Sequence, residues 1–233
     1  MNKKWKEFRN LTEKCYENMA GINQDKTCWK QAFSLLKEII ADERSDNAEF
    51  APELYELDEM TEYKCDVQGW LEDYLDELDM WNDQEALLKS CEELLELFRW
   101  KKICSSDIQF MKVSSLNALN RHGEAVDYCR EWIEKEPDNI MAVTAGIYAY
   151  ISDSKMEEAE KLIHKYMDED TECTEENDIL FIAASRYYQA VGNKKEQKRI
   201  DAFLEEYDRK LEEYFMEYED DELLFEDDEL PFC

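Results

Sequence analysis

Residues 116–139 read LNALNRHGEAVDYCREWIEKEPDN. The stretch breaks into the end of one helix, a short polar turn, a second helix and a proline stop. Val126, Cys129, Trp132 and Ile133 recur at helical spacing and supply the large residues of a buried face. Pro137 suits the position just past a helix, because its ring cannot continue one, and Asp138 and Asn139 can cap the next. Either this is an isolated helical hairpin or it is one unit of a series.

The residues that follow decide between the two. YAYISDSKMEEAEKLIHKYMDEDT, residues 148–171, places Ala159 where the first stretch has Ala125, a separation of 159 − 125 = 34 residues. Tyr150 then stands for Leu116, Tyr166 for Trp132 and Thr171 for Pro137. A third copy, YYQAVGNKKEQKRIDAFLEEYDRK, places Tyr188 at the Leu116 position and Gly192 at the Asn120 position. A small residue at the start of a second helix lets two helices approach closely, which is the physical role expected of Ala125 and Ala159. The third copy has Gln197 there, as suits an atypical terminal unit.

Earlier units are looser. Ala32 follows Trp29 in CWKQAFSLLKEIIADE, and Ala86 sits at a turn into a second helix. Their spacings are 86 − 32 = 54 and 125 − 86 = 39 residues. The longer one implies an insertion of about 20 residues near 45–64, expected to be an inter-repeat loop with one or two helical turns beginning near Pro52. With only 5 glycines and 3 prolines in 233 residues, turns are few, and the composition favours an all-helical chain.

The pattern L-x-A-L-N-R-x-x-E-A at 116–125, the 34-residue period and the closing proline resemble the tetratricopeptide repeat (TPR), and the chain looks like bacterial proteins of that kind. The resemblance implies an all-α, right-handed superhelix of about five helix pairs. Its repeats are clear over about 105–210 and degenerate over 3–104, within one repeat domain of residues 1–216. It also implies a non-catalytic interaction module. The first helix of each pair then faces a concave groove that takes a peptide or helix.

Helical spacing picks the groove residues: Glu72, Asp76 and Asp79 on one first helix, Phe110, Ser114 and Asn117 on the next, then Tyr148 and Ile151 beside Thr144, then Arg186 and Gln189 beside Ile182. Asn117 and Gln189 suit hydrogen bonds to a peptide backbone, Tyr148 and Phe110 apolar anchoring. Phe110, Ile151 and Ile182 suit the core equally well. Some members of the family grip a C-terminal carboxylate with several Lys, Arg and Asn. Only Arg186 matches here, so an acidic groove end for a basic or neutral segment is expected instead.

Charge narrows the partners. The chain has 59 acidic and 28 basic residues, a net charge of −31, which opposes nucleic-acid phosphates and anionic lipid. No apolar run reaches the length of a membrane span, and the start of the chain lacks a signal-peptide core, so a cytoplasmic protein is expected. The eight cysteines include no C-x-x-C and no nearby histidine pattern, and are read as small buried apolar residues without metal. Bacterial relatives of this kind sometimes end in a cysteine-rich zinc segment; Cys233 alone does not make one. His122 and His164 are assigned structural places. No phosphate loop or nucleophile motif occurs, so neither catalytic residues nor a cofactor are expected.

Residues 212–229, EEYFMEYEDDELLFEDDE, hold 11 acids and no base, interleaved with apolar residues. A calcium site there is a weak match, because an EF-hand loop needs a central glycine and this run has none. Residues 217–233 are read as an acidic-apolar tail, either solvated or folding on a surface. The second option gives an alternative role, a self-associating structural protein whose groove holds this tail or another copy.

Overall fold

The computed structural model describes residues 3–222, with side chains through Met216. All regular structure among the described residues is helical. The chain forms two compact units, Met1–Leu119 and Asn120–Cys233.

The first unit contains α1 (Lys3–Met19), α2 (Thr27–Asp46), α3 (Tyr55–Met60), α4 (Val67–Met80), α5 (Gln84–Leu97) and α6 (Ser106–Ala118). Neighbours in sequence pack in pairs: α1 on α2, α3 on α4, α4 on α5 and α5 on α6. Its core is aromatic. Trp70 and Tyr74 lie four residues apart on α4, so they share a face. Their rings stack at 5.5 Å and 4°, and Trp29 of α2 stacks on Trp70 at 6.0 Å and 15°. Phe8 of α1 meets Trp70 edge-on at 5.3 Å. Such pairs contribute roughly 0.5–1.5 kcal/mol each beyond the area they bury.

The second unit contains α7 (His122–Lys135), α8 (Ile140–Ser152), α9 (Met156–Tyr166), α10 (Asp178–Ala190) and α11 (Lys194–Glu222). Helix α8, IMAVTAGIYAYIS, is apolar nearly all round and packs on α7, α9 and α10. A helix without a polar face has to be covered on several sides. Gly146 marks the tightest point. A Cβ there would meet the Ile133 Cδ1 at 2.9 Å and the Leu162 Cδ2 at 3.1 Å, so a larger residue would require the ends of these α7 and α9 side chains to shift.

The turns after five of the helices share one device. Gly21, Asn82, Asn120, Ser154 and Gly192 all have positive φ, between 56° and 74°. Each follows a helix, and in four of the turns the next residue's N–H reaches back to a carbonyl five residues earlier. These bonds run from Ile22 to Glu17, Asp83 to Leu78, Lys155 to Tyr150 and Asn193 to Tyr188, at 2.8–2.9 Å. Asn120, Ser154 (34 residues further on) and Gly192, at the Asn120 position of the third copy, therefore occupy the same backbone state. Ala125 and Ala159 are fully buried, Gln197 is half-buried, and Asn139 caps α8 by accepting from Ala142 N–H at 3.2 Å.

The insertion at 45–64 finishes α2, carries α3, and is pinned by three polar side chains. Arg44 donates to the carbonyls of Phe50, Ala51 and Leu97 at 2.7–3.0 Å. Buried Glu53 accepts from the N–H groups of Lys101 and Lys102. Buried Asp58 accepts from Val67 N–H at 2.5 Å and Gln68 N–H at 3.2 Å, tying α3 to the first turn of α4. Burial raises its pKa, and the two N–H groups at a helix start work against that rise.

Helix α11 continues to Glu222, so residues 217–222 are helical backbone. The rest of the acidic tail, 223–233, lies outside the described residues. No helix among the described residues is long and apolar enough to cross a membrane.

Candidate ligand cleft

Leu71 and Leu75 of α4 are buried, 2% and 3% exposed. Glu72 and Asp76 follow each by one residue, about 100° further round the helix, and are exposed. The four side chains form part of one wall of a cleft of about 420 Å³ in the first unit. The α5 residue Leu94 and Leu54 of the insertion add apolar surface. Asp107, Ile108 and Met111 of α6 line it as well, and Trp100 and Ile103 come from the α5–α6 connection. Trp100 is held by its indole N–H on the Leu94 carbonyl at 3.2 Å and by an edge contact with Phe98 at 5.7 Å. Its backbone is in the left-handed region, φ 52°, the bend that carries the chain from α5 into the connection.

The charge of this cleft is one-sided. Glu72, Asp76 and Asp107 line it, and no Lys, Arg or His does. Glu72 accepts from the Gln68 amide at 3.2 Å. Asp76 and Asp107 make no hydrogen bond or ion pair among the described residues. Partial burial, with Asp73 and Asp79 nearby, raises the pKa of Asp76. Asp79, the third acid expected on this face, instead accepts from the Gln84 amide at 2.8 Å.

The other expected groove residues fall elsewhere. Phe110 and Asn117 are half-buried and Ser114 is exposed on α6, outside the lining of the cleft. In the second unit, α8 and α10 are in contact, and the guanidinium of exposed Arg186 lies near half-buried Tyr148, favouring its phenolate against the upward push of burial. Arg186 also donates to exposed Gln189 at 3.4 Å. Ile151 packs at the edge of the second core, and Ile182 is 42% exposed.

The second unit has its own cavity, about 460 Å³, bounded by α9, α10 and the start of α11. Its lining holds four carboxylates, Glu160, Asp168, Glu169 and Glu196, and one guanidinium, Arg199, which pairs with Glu196 at 2.8 Å; His164 lies 4.0 Å from Glu160.

Of the seven cysteines described, five are buried. Burial pushes the thiols of Cys91 and Cys129 up to about 12, well away from the thiolate range that nucleophiles need. No group of three or more His, Cys, Asp or Glu residues among those described is placed to hold a metal ion. Comparison with protein-family models, curated proteins and solved structures finds no match. The chemistry of the cleft rests on its own side chains.

Proposed function

We propose that the chain is a non-catalytic interaction module of the tetratricopeptide-repeat kind, a right-handed superhelix of helix pairs that binds a segment of another protein. The observation that carries this reading is the first unit's cleft, an apolar floor with carboxylates on two walls. Its shape and lining suit side chains presented by a folded segment. The recurring left-handed turn and the buried Ala125 and Ala159 support the repeat reading. The chain's own tail, residues 217–233, is a poor occupant, because its nine acids would meet an acidic rim. Within this proposal the working compartment is the cytoplasm and nucleic acid is not a ligand.

A random-peptide display selection against the full chain tests it. Enriched sequences should lose binding to the Met111→Lys variant, which puts a cation on the cleft wall, while circular dichroism shows the variant folded. Failure to enrich any sequence, or enriched peptides that bind the variant as well as the wild type, would reject the module reading.

A further inference from the structure

We infer that the first unit's cleft takes a basic amphipathic helix, with apolar residues seated between α4 and α6 and Lys or Arg side chains over Glu72, Asp76 and Asp107. The inference rests on the interaction-module reading and names the partner's chemistry. Three observations fix it. The floor is apolar and continuous with the core through Leu71, Leu75 and Leu94. The rim is acidic on both α4 and α6, and the cleft has no cation of its own. Asp76 and Asp107 are without partners among the described residues, so a ligand cation supplies a missing counter-charge rather than competing for an occupied one.

Size selects a helix. The polar row Gln68, Glu72, Asp76 spans nine residues of α4, eight steps of about 1.5 Å or about 12 Å, a little over two helical turns. A ligand helix laid along that row presents apolar side chains at i, i+3 or i+4 and i+7 to the floor. Its flanking Lys or Arg stems can lie along apolar surface while their charged ends reach the carboxylates. A cavity of about 420 Å³ holds a few such side chains, and the helix backbone stays at the mouth. A small polyamine would meet the rim and leave the apolar floor empty, so it fits less well.

The test uses the full chain and three fluorescent peptides of about four helical turns. The first is a Leu/Lys amphipathic helix. The second carries Glu at every Lys position. The third has the first peptide's composition scrambled to destroy its apolar face. Anisotropy in about 150 mM salt should show saturable binding of the first peptide alone. The double variant Glu72→Gln/Asp76→Asn should weaken that binding by about tenfold, as two partly exposed ion pairs are lost. Glu157→Gln/Glu158→Gln, which removes the same charge from α9 in the other unit, should leave it unchanged.

Equal loss in both double variants, or equal binding of the scrambled peptide, would mean general attraction to a chain of charge −31 and would overturn the inference. So would binding of the Glu peptide as tightly as the Lys peptide. If display yields neutral or acidic binders that Met111→Lys abolishes, the module reading stands and the basic helix falls. If the Lys peptide binds only with self-association of the protein, seen by light scattering, the occupant is a second copy and the inference falls as well.

Discussion

Asp76 shows how a single residue links stability to recognition. Its carboxyl is held above the ordinary range by partial burial and by Asp73 and Asp79. A raised carboxylate pKa means that folding disfavours the charged form, so Asp76 costs stability at neutral pH. That cost fades as pH falls through the raised value towards about 4, the ordinary range for Asp. Asp76→Asn should therefore stabilise the protein at pH 7, by up to about 0.5 kcal/mol for so exposed a group, and the gain should shrink below pH 4. Denaturant melts of the two proteins at pH 7 and pH 3.5 measure this. A gain that grows on acidification would contradict the sign. Glu72 and Asp76 were legible in sequence because α4 has a sharp apolar face that leaves the next position outward. The α6 lining was not. In SDIQFMKVSSLNA the apolar residues Ile108, Phe110, Met111, Val113 and Leu116 are spread around the helix, so spacing could not separate Phe110, Ser114 and Asn117 from Asp107, Ile108 and Met111.

At the level of elements, the hairpins are set by backbone state as much as by side chains. The match of Gly192 with Asn120 was readable from the repeat register, and both residue types tolerate the positive φ found there. The path from 45 to 64 was not readable beyond a helical turn or two, because Arg44, Glu53 and Asp58 fix it through partners up to 53 residues away. Two glycines give opposite expectations. A Cβ at Gly192 meets nothing within 4 Å, yet its φ is +74°, so Gly192→Ala should cost about 1 kcal/mol through conformation alone. Gly123 lies in the first turn of α7 with equally open space and no positive φ, so Gly123→Ala should stabilise by about 0.5 kcal/mol. Urea unfolding followed by far-ultraviolet circular dichroism separates them. The same sign for both would mean that the left-handed turn is not what Gly192 supplies.

Across the whole chain, a net charge of −31 acts on every equilibrium at once. Self-repulsion opposes compaction, and salt screens it. Raising sodium chloride from about 20 to about 500 mM should raise the melting temperature by about 2–4 °C for each kcal/mol of repulsion relieved. The same salt should loosen a basic ligand, so tight binding and high thermal stability call for opposite buffers. A melting temperature that falls with salt would point to attractive surface pairs outweighing the repulsion. The stacked Trp29, Trp70 and Tyr74 have an optical consequence. Five of the six tryptophans, Trp5, Trp29, Trp70, Trp81 and Trp100, belong to the first unit, and only Trp132 to the second. Intrinsic emission excited at the red edge is therefore in large part a spectrum of one unit. Trp100 places one of its emitters on the cleft wall, so the protein carries its own dye for watching that site fill.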